Sequence, residues 1–191
     1  MLKLLDVKID DYVDAELVNS DEFKPFGKHV AAGKPIVSHE FPLMIILIQN
    51  EPKDIFKSGI WTIVSAKFIE TLHKLKAGDC FQYFDTDVRF KNGNSAGKYY
   101  FLHIVRRIDC FDEAKSSYEM KNGWYFNVKK LEIIHESVSD EDLVFRVDNL
   151  GRALLILNSL SLEFFQRSDL KGIDYFSLDE WNNRYKIGST Q

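Results

Sequence analysis

The longest uninterrupted apolar run in this 191-residue chain is Leu43 to Ile48. Six residues make a buried strand and are far too few to cross a bilayer, so the chain has to build its interior from many brief elements. The rest of the sequence agrees. Leu2 and Leu4 alternate with other residues ahead of Val7 and Ile9, and further short apolar runs follow at Trp61 to Val64, Cys80 to Phe84, Tyr99 to Ile108, Trp124 to Val128, Leu131 to Ile134, Leu143 to Val147, Ala153 to Leu157 and Ile173 to Phe176. Loops are expected around Lys24 to Lys28, at Ala32 to Pro35, over Lys91 to Lys98 with its Asn-Gly-Asn-Ser-Ala-Gly centre, and at the polar break from Asp109 to Ser117. Short strands at regular spacing predict a mainly antiparallel sheet.

Two helices interrupt the strands. Ser65 can accept from the free N–H groups of a first turn, Phe68, Ile69, Leu72 and Leu75 recur at helical spacing, and Gly78 offers a stop. A second helix should begin at a cap on Asn158 or Ser159 and stop at Gly172, and a Ser177-capped turn carrying Trp181 closes the chain. The two strand-to-helix units share an outline, which either an internal duplication or the ordinary geometry of a strand-to-strand crossover explains. The predicted class is α+β with two principal helices, one domain over 1–191 with room for two lobes, about 1–90 and 91–191. Only four prolines and ten glycines leave little material for a long linker.

Fifteen phenylalanines indicate a Phe-rich core before they indicate a sticky surface. The N-terminus has no apolar stretch of the kind that directs secretion, so a cytoplasmic location is expected, with Cys80 and Cys110 reduced and buried. A formal net charge of −4 argues against nucleic-acid binding, and nothing indicates a membrane partner. The distribution says more. Residues 1–22 hold seven acids and two lysines, residues 23–40 reverse the sign, and acidic density returns at Glu132, Glu136, Asp140, Glu141 and Asp142. Such runs are commonly solvated faces; the other reading is an acidic surface that meets a basic partner. On that reading the partner-binding candidates are Asp10, Asp11, Asp14, Glu16, Asp140, Glu141 and Asp142.

Catalytic patterns do not emerge. The sequence holds no Gly-rich phosphate loop, nucleophile elbow or metalloprotease signature, and His29, His39, His73, His103 and His135 lack metal-ligand spacing. No catalytic, cofactor-binding or metal-ligating residue is assigned. The densest polar cluster, Arg106 to Ser117 with Asp109 and Asp112, reads first as turn-making. Arg146 shares a strand with apolar neighbours, which reads first as a buried or half-buried arginine paired with a carboxylate and second as an anchor at an interface.

In order along the chain, several short motifs resemble family eleven of the polymorphic-toxin immunity proteins, formerly a domain of unknown function. Lys98 to Ser116 resembles its strand, D-x-x-D turn (Asp109, Asp112) and following Ser; Val144-Phe-Arg146 its "iFR" strand; Leu157-Asn-Ser159 the entry to a helix; and Gly172 to Phe176 its closing "G-x-x-F". Val64-Ser-Ala-Lys-Phe68 and Gly78-Asp79 match upstream, so the resemblance spans roughly residues 60–176. It implies a cytoplasmic bacterial α+β protein, encoded beside a toxin, that binds a cognate toxin protein and blocks it. It transfers no catalytic residues, and its motif positions look like scaffold. Rival expectations are an enzyme using Asp109, Asp112 and Arg146, and a regulatory subunit of a larger assembly; oligomeric state is left open.

Overall fold

The structure, a computed structural model, describes residues 2–7, 13–150 and 154–187. Numbered in chain order, the elements begin with β1 Lys3–Val7, β2 Ala15–Leu17, α1 Gly27–Ala32, β3 Met44–Ile48, β4 Ile55–Ser58, β5 Trp61–Ser65, α2 Ala66–Lys74, β6 Phe81–Phe90 and β7 Ser95–Ile104. They continue with β8 Arg107–Ile108, β9 Ser117–Lys121, β10 Trp124–Lys130, β11 Val144–Val147, β12 Leu155–Leu157, α3 Ser159–Arg167, β13 Ile173–Phe176 and α4 Leu178–Ile187. The class is α+β, as the sequence predicts.

Six strands form one sheet in the order β2-β3-β6-β7-β5-β4, antiparallel except for the β3–β6 pair. The sheet curls until its edges approach, and the Ser58 hydroxyl of β4 donates to the Ala15 carbonyl of β2 at 3.2 Å. Because successive strand residues face opposite ways, Met44, Ile46, Ile48, Phe56, Trp61, Ile63, Phe84 and Phe101 fill the concave side, joined by Phe23, Val30 and Ile36 from the segment before β3. The convex side carries Ile55, Val64, Phe81, Tyr100 and Leu102.

That convex side meets α2 and α3. Phe68, Ile69, Leu72 and Leu75 of α2 pack with Phe165 of α3, and the Phe68 and Phe165 rings meet at 5.3 Å with a 63° tilt. Both caps form: the Phe68 N–H donates to the Ser65 hydroxyl oxygen at 3.2 Å and the Ser161 N–H to the Asn158 side-chain oxygen at 3.0 Å. Asp54 ties the two units together, because its carboxylate accepts from the Ser65 hydroxyl at 2.5 Å and from the Lys171 N–H at 2.7 Å.

The second sheet, β13-β1-β12-β11-β8, closes the other side of this helical layer with Leu5, Val144 and Leu157. Its far face, with Leu4, Phe145, Val147, Ile156 and Phe176, packs on Cys110, Phe111, Tyr125, Leu131, Ile133 and Trp181. The likeness between the two helical units extends to pairing. β5 and β6 flank the antiparallel β7, β12 and β13 flank the antiparallel β1, and each helix crosses over the strand between. Each sheet therefore draws strands from both sides of residue 90.

Several local expectations need correction. Helix α2 ends at Lys74, and the left-handed residue that follows it is not Gly78 but Lys76, which takes φ 60° while the Ala77 N–H donates back to the Leu72 carbonyl at 3.2 Å. In α3 the left-handed residue is Asp169, φ 49°, ahead of Gly172. The expected loop at Lys91 to Lys98 is a turn only as far as Asn94, since β7 begins at Ser95. Tyr99 to Ile108 is broken at Val105 and Arg106, whose N–H groups both reach the Cys80 carbonyl, at 2.9 and 3.1 Å. Leu131 to Ile134 is not a full strand but a single antiparallel bridge, Phe111 with Ile133, in which the Asp112 N–H donates to the Glu132 carbonyl at 3.0 Å and the Ile134 N–H to the Cys110 carbonyl at 2.8 Å, while the Asn182 side chain accepts from the Leu131 N–H and donates to its carbonyl at 2.7 and 3.1 Å. The closing turn extends into α4, started by reciprocal bonds between Ser177 and Glu180.

Candidate partner-binding site

Strands β9 and β10 form a ribbon around Asn122-Gly123, whose φ angles of 53° and 77° suit a two-residue turn of the mirror-image type that matches strand twist. One face of the ribbon is anchored. Tyr125 stacks on Phe111 at 3.9 Å, Tyr118 meets both rings edge-on at 5.1 and 5.2 Å, and the Tyr125 hydroxyl donates to Glu113 at 2.6 Å. Residues directly opposite in an antiparallel pair share a face. The register sets Trp124 against Lys121 and Phe126 against Glu119, which places these four together on the side away from the anchor. Phe126 is 41% exposed and Met120 at the ribbon's end 55%.

Facing the ribbon is α1. A six-residue helix starting on glycine has little intrinsic stability, and a distant side chain completes it. Arg146 of β11 is 3% exposed and donates from Nη1 to the Val30 carbonyl at 2.8 Å and from Nη2 to that of Ala31. A cation at the carbonyl end of a helix complements its dipole. Burial, with a smaller contribution from the neighbouring Arg107, brings the Arg146 pKa down to about 10, so the guanidinium is still charged at neutral pH. The expected carboxylate partner is thus replaced by main-chain oxygens. Gly33, φ 61°, ends α1 because the arginine stems pass over it: a Cβ there would lie 2.9 Å from Arg107 Cδ and 3.0 Å from Arg146 Cδ. Nearby, His103 is 2% exposed and its Nε2 lies 2.8 Å from the Lys34 carbonyl; an oxygen that can only accept requires the proton on Nε2. Burial lowers the His103 pKa to about 4.

Between α1 and the ribbon runs an open groove of about 1060 Å³. Lys28, His29 and Lys34 line one wall; Glu119, Met120, Lys121, Trp124 and Phe126 line the other. It is a wide aromatic trough with cationic edges, a shape suited to a protein segment rather than to chemistry on a small molecule.

The residues singled out from sequence lie elsewhere. Asp10 and Asp11 fall outside the described residues. Asp14 is exposed beside β2, its carboxylate accepting from the Gln49 amide, and Glu16 is exposed on β2. Asp140 and Glu141 are exposed in the turn before β11, which belongs to the other sheet. Asp142 instead points inward at 4% exposure, accepting from Arg106 at 2.8 and 2.5 Å and from the Ser139 N–H and hydroxyl at 2.9 and 3.0 Å. Burial alone would raise its pKa, but the Ser139 and Arg106 bonds outweigh this and hold it below the usual range. Its carboxylate closes a turn and offers nothing to a partner.

Asp112 is committed to its own turn, accepting from the Lys115 N–H at 3.1 Å and pairing with the Lys115 ammonium at 3.0 Å. The two Arg146 Nη groups are thus committed to α1 and the Asp112 carboxylate to Lys115, while the buried Arg146 Nε has no hydrogen-bond partner among the described residues. Cys80 and Cys110 are free thiols; Cys110 is buried, which pushes its pKa up to about 12, while Cys80 is only half-buried. Among the described residues no three His, Cys, Asp or Glu side chains converge as metal ligands, and no helix is long and apolar enough to cross a membrane. The sequence reading missed the groove because it ran the polar break from Asp109 to Ser117 straight into Trp124 and passed over β9; the alternation of Tyr118 and Met120 with Ser117, Glu119 and Lys121, followed by Asn122-Gly123, was the available signal.

The residues that carry the family resemblance are structural. Ser65 and Asn158 cap helices, Phe68 and Phe145 are fully buried, and Ser116 exchanges bonds with the Glu132 backbone at 3.0 and 3.4 Å. Gly172, φ 80°, leaves no room for a Cβ, which would sit 2.6 Å from Lys53 Cβ. No curated protein matches the chain. A family model described as "Immunity protein family (Imm11)" matches residues 40–175, extending the resemblance upstream through β3 and β4. The chain belongs to this immunity protein family.

Proposed function

We propose that this protein protects a bacterial cell by binding and neutralising a cognate toxin through protein–protein contact in the cytoplasm, with no catalytic step of its own. Family membership over residues 40–175 is the observation that carries this reading. The structure adds support in kind. A rigid three-layer scaffold holds surface features that a binding protein needs, exposed aromatics in an open groove and separate charged segments. Complementary charge speeds encounter and selects the partner, while buried aromatic anchors supply affinity.

The exposed acids Asp14, Glu16, Asp140 and Glu141, together with Asp10 and Asp11, are candidates to steer a basic toxin surface. Asp142 acts only by shaping its turn. The toxin domain encoded beside this protein, expressed with and without it, tests the function: growth restored by the wild-type protein, with a stoichiometric complex recovered, is the expected result. Charge reversal at Asp10, Asp11, Asp14 and Glu16 should slow association and flatten its salt dependence. Unchanged kinetics would remove that segment from the interface.

A further inference from the structure

Resting on the reading that this protein works by binding another protein, we infer that the groove between α1 and the β9–β10 ribbon receives an acidic segment of the partner that carries an apolar side chain. The charge argument is local. Lys28, Lys34 and Lys121 line the groove, and among the described residues none of them forms an ion pair. Glu119, the carboxylate on the same lining, already accepts from the Asn127 side chain at 2.9 Å. In a chain of net charge −4 this is a reversal of sign, and its ammonium groups lack the partners that an acidic segment would bring.

The apolar half of the argument comes from the register. Trp124 and Phe126 lie two positions apart on one strand face and open into the groove instead of into the core. A side chain seated between them would remove aromatic surface from water on both partners. Both walls are already fixed, α1 by Arg146 and the ribbon by the Phe111, Tyr118 and Tyr125 stack, so little ordering is needed on binding. A nucleic acid fits less well. Three lysines make a small phosphate-binding field, and a long polyanion would extend past them over a protein of net negative charge.

Trp124 supplies the readout, since Trp61 and Trp181 are buried. The probe is a synthetic peptide with Glu and Asp flanking a single Phe, titrated at low salt while tryptophan emission is followed; the same peptide with Lys for the acids, polyglutamate, and single-stranded oligo-dT are the comparators. The acidic Phe peptide should give a saturable change. Its affinity should fall by about tenfold or more in the triple variant Lys28→Glu, Lys34→Glu, Lys121→Glu, and by about tenfold in Phe126→Ser and in roughly 0.5 M salt. The lysine peptide should not bind, and polyglutamate should bind more weakly. No saturable change, equal binding by a triple variant of wild-type Tm, or tighter binding of oligo-dT would each overturn the assignment. Co-expression with the toxin separates this inference from the one it rests on. Wild-type protection that the triple variant fully retains would sink the groove and leave immunity standing. Groove-dependent peptide binding by a protein that rescues cells from no toxin would do the reverse.

Discussion

The layer where α2 meets α3 and the groove between α1 and the ribbon are built in opposite ways. In the layer, Phe68, Leu72 and Phe165 are sealed between two sheets, both helix starts are capped, and Asp54 ties one unit to the other. In the groove, aromatic rings stand open, three lysines lack ion-pair partners among the described residues, and the walls belong to different hydrophobic clusters. Several positions that carry the family resemblance fall in or beside the layer. The difference separates two tasks: one region has spent its interaction capacity on holding the fold, and the other has kept it available.

Substitutions sharpen that separation. Phe68→Ala, which empties a fully buried ring site against Phe165, should lower unfolding free energy by about 3–5 kcal/mol in urea titrations. Arg146→Ala should cost about 3 kcal/mol, because two helix-end carbonyls lose a charged donor, and Arg146→Lys should recover only part of it, since one ammonium cannot reproduce the two-pronged contact. Acid should act on the six-stranded sheet through His103 of β7. Its folded pKa of about 4 lies below the ordinary 6.5, so the unfolded chain takes up the proton first as pH falls. The contribution is full above pH 6.5 and lost towards pH 4, by at most about 3 kcal/mol. His103→Gln, which keeps a donor for the Lys34 carbonyl, should flatten this slope. Smallest of all, Phe126→Ser should move stability by less than about 1 kcal/mol. A large loss there, or a negligible one at Phe68, would break the comparison.

The layer was legible in the sequence and the groove was not, for physical reasons. Ser65 and Asn158 announce helix starts by their side-chain chemistry, and the apolar residues of β3, β5 and β11 announce burial, so these elements could be placed from local pattern alone. Helix α1 could not, because its carbonyls are satisfied by Arg146, 115 and 116 residues away. Strand β9 alternates Tyr118 and Met120 with polar residues over only five positions and buries none of them fully, so it stands out little from a loop, and Asp142 looks like any surface acid until Arg106 is seen to reach it. Charge counts along the chain found Lys28 and Lys34 in a basic stretch, but only folding brings Lys121, Trp124 and Phe126 opposite them.

The proposed immunity role is tested most directly by the survival of cells that express a candidate toxin domain, one encoded beside this protein, while this protein is supplied in trans. Restored growth with the wild-type protein, together with recovery of a stoichiometric complex, is the predicted result. Undiminished killing in the presence of folded, abundant protein would contradict it.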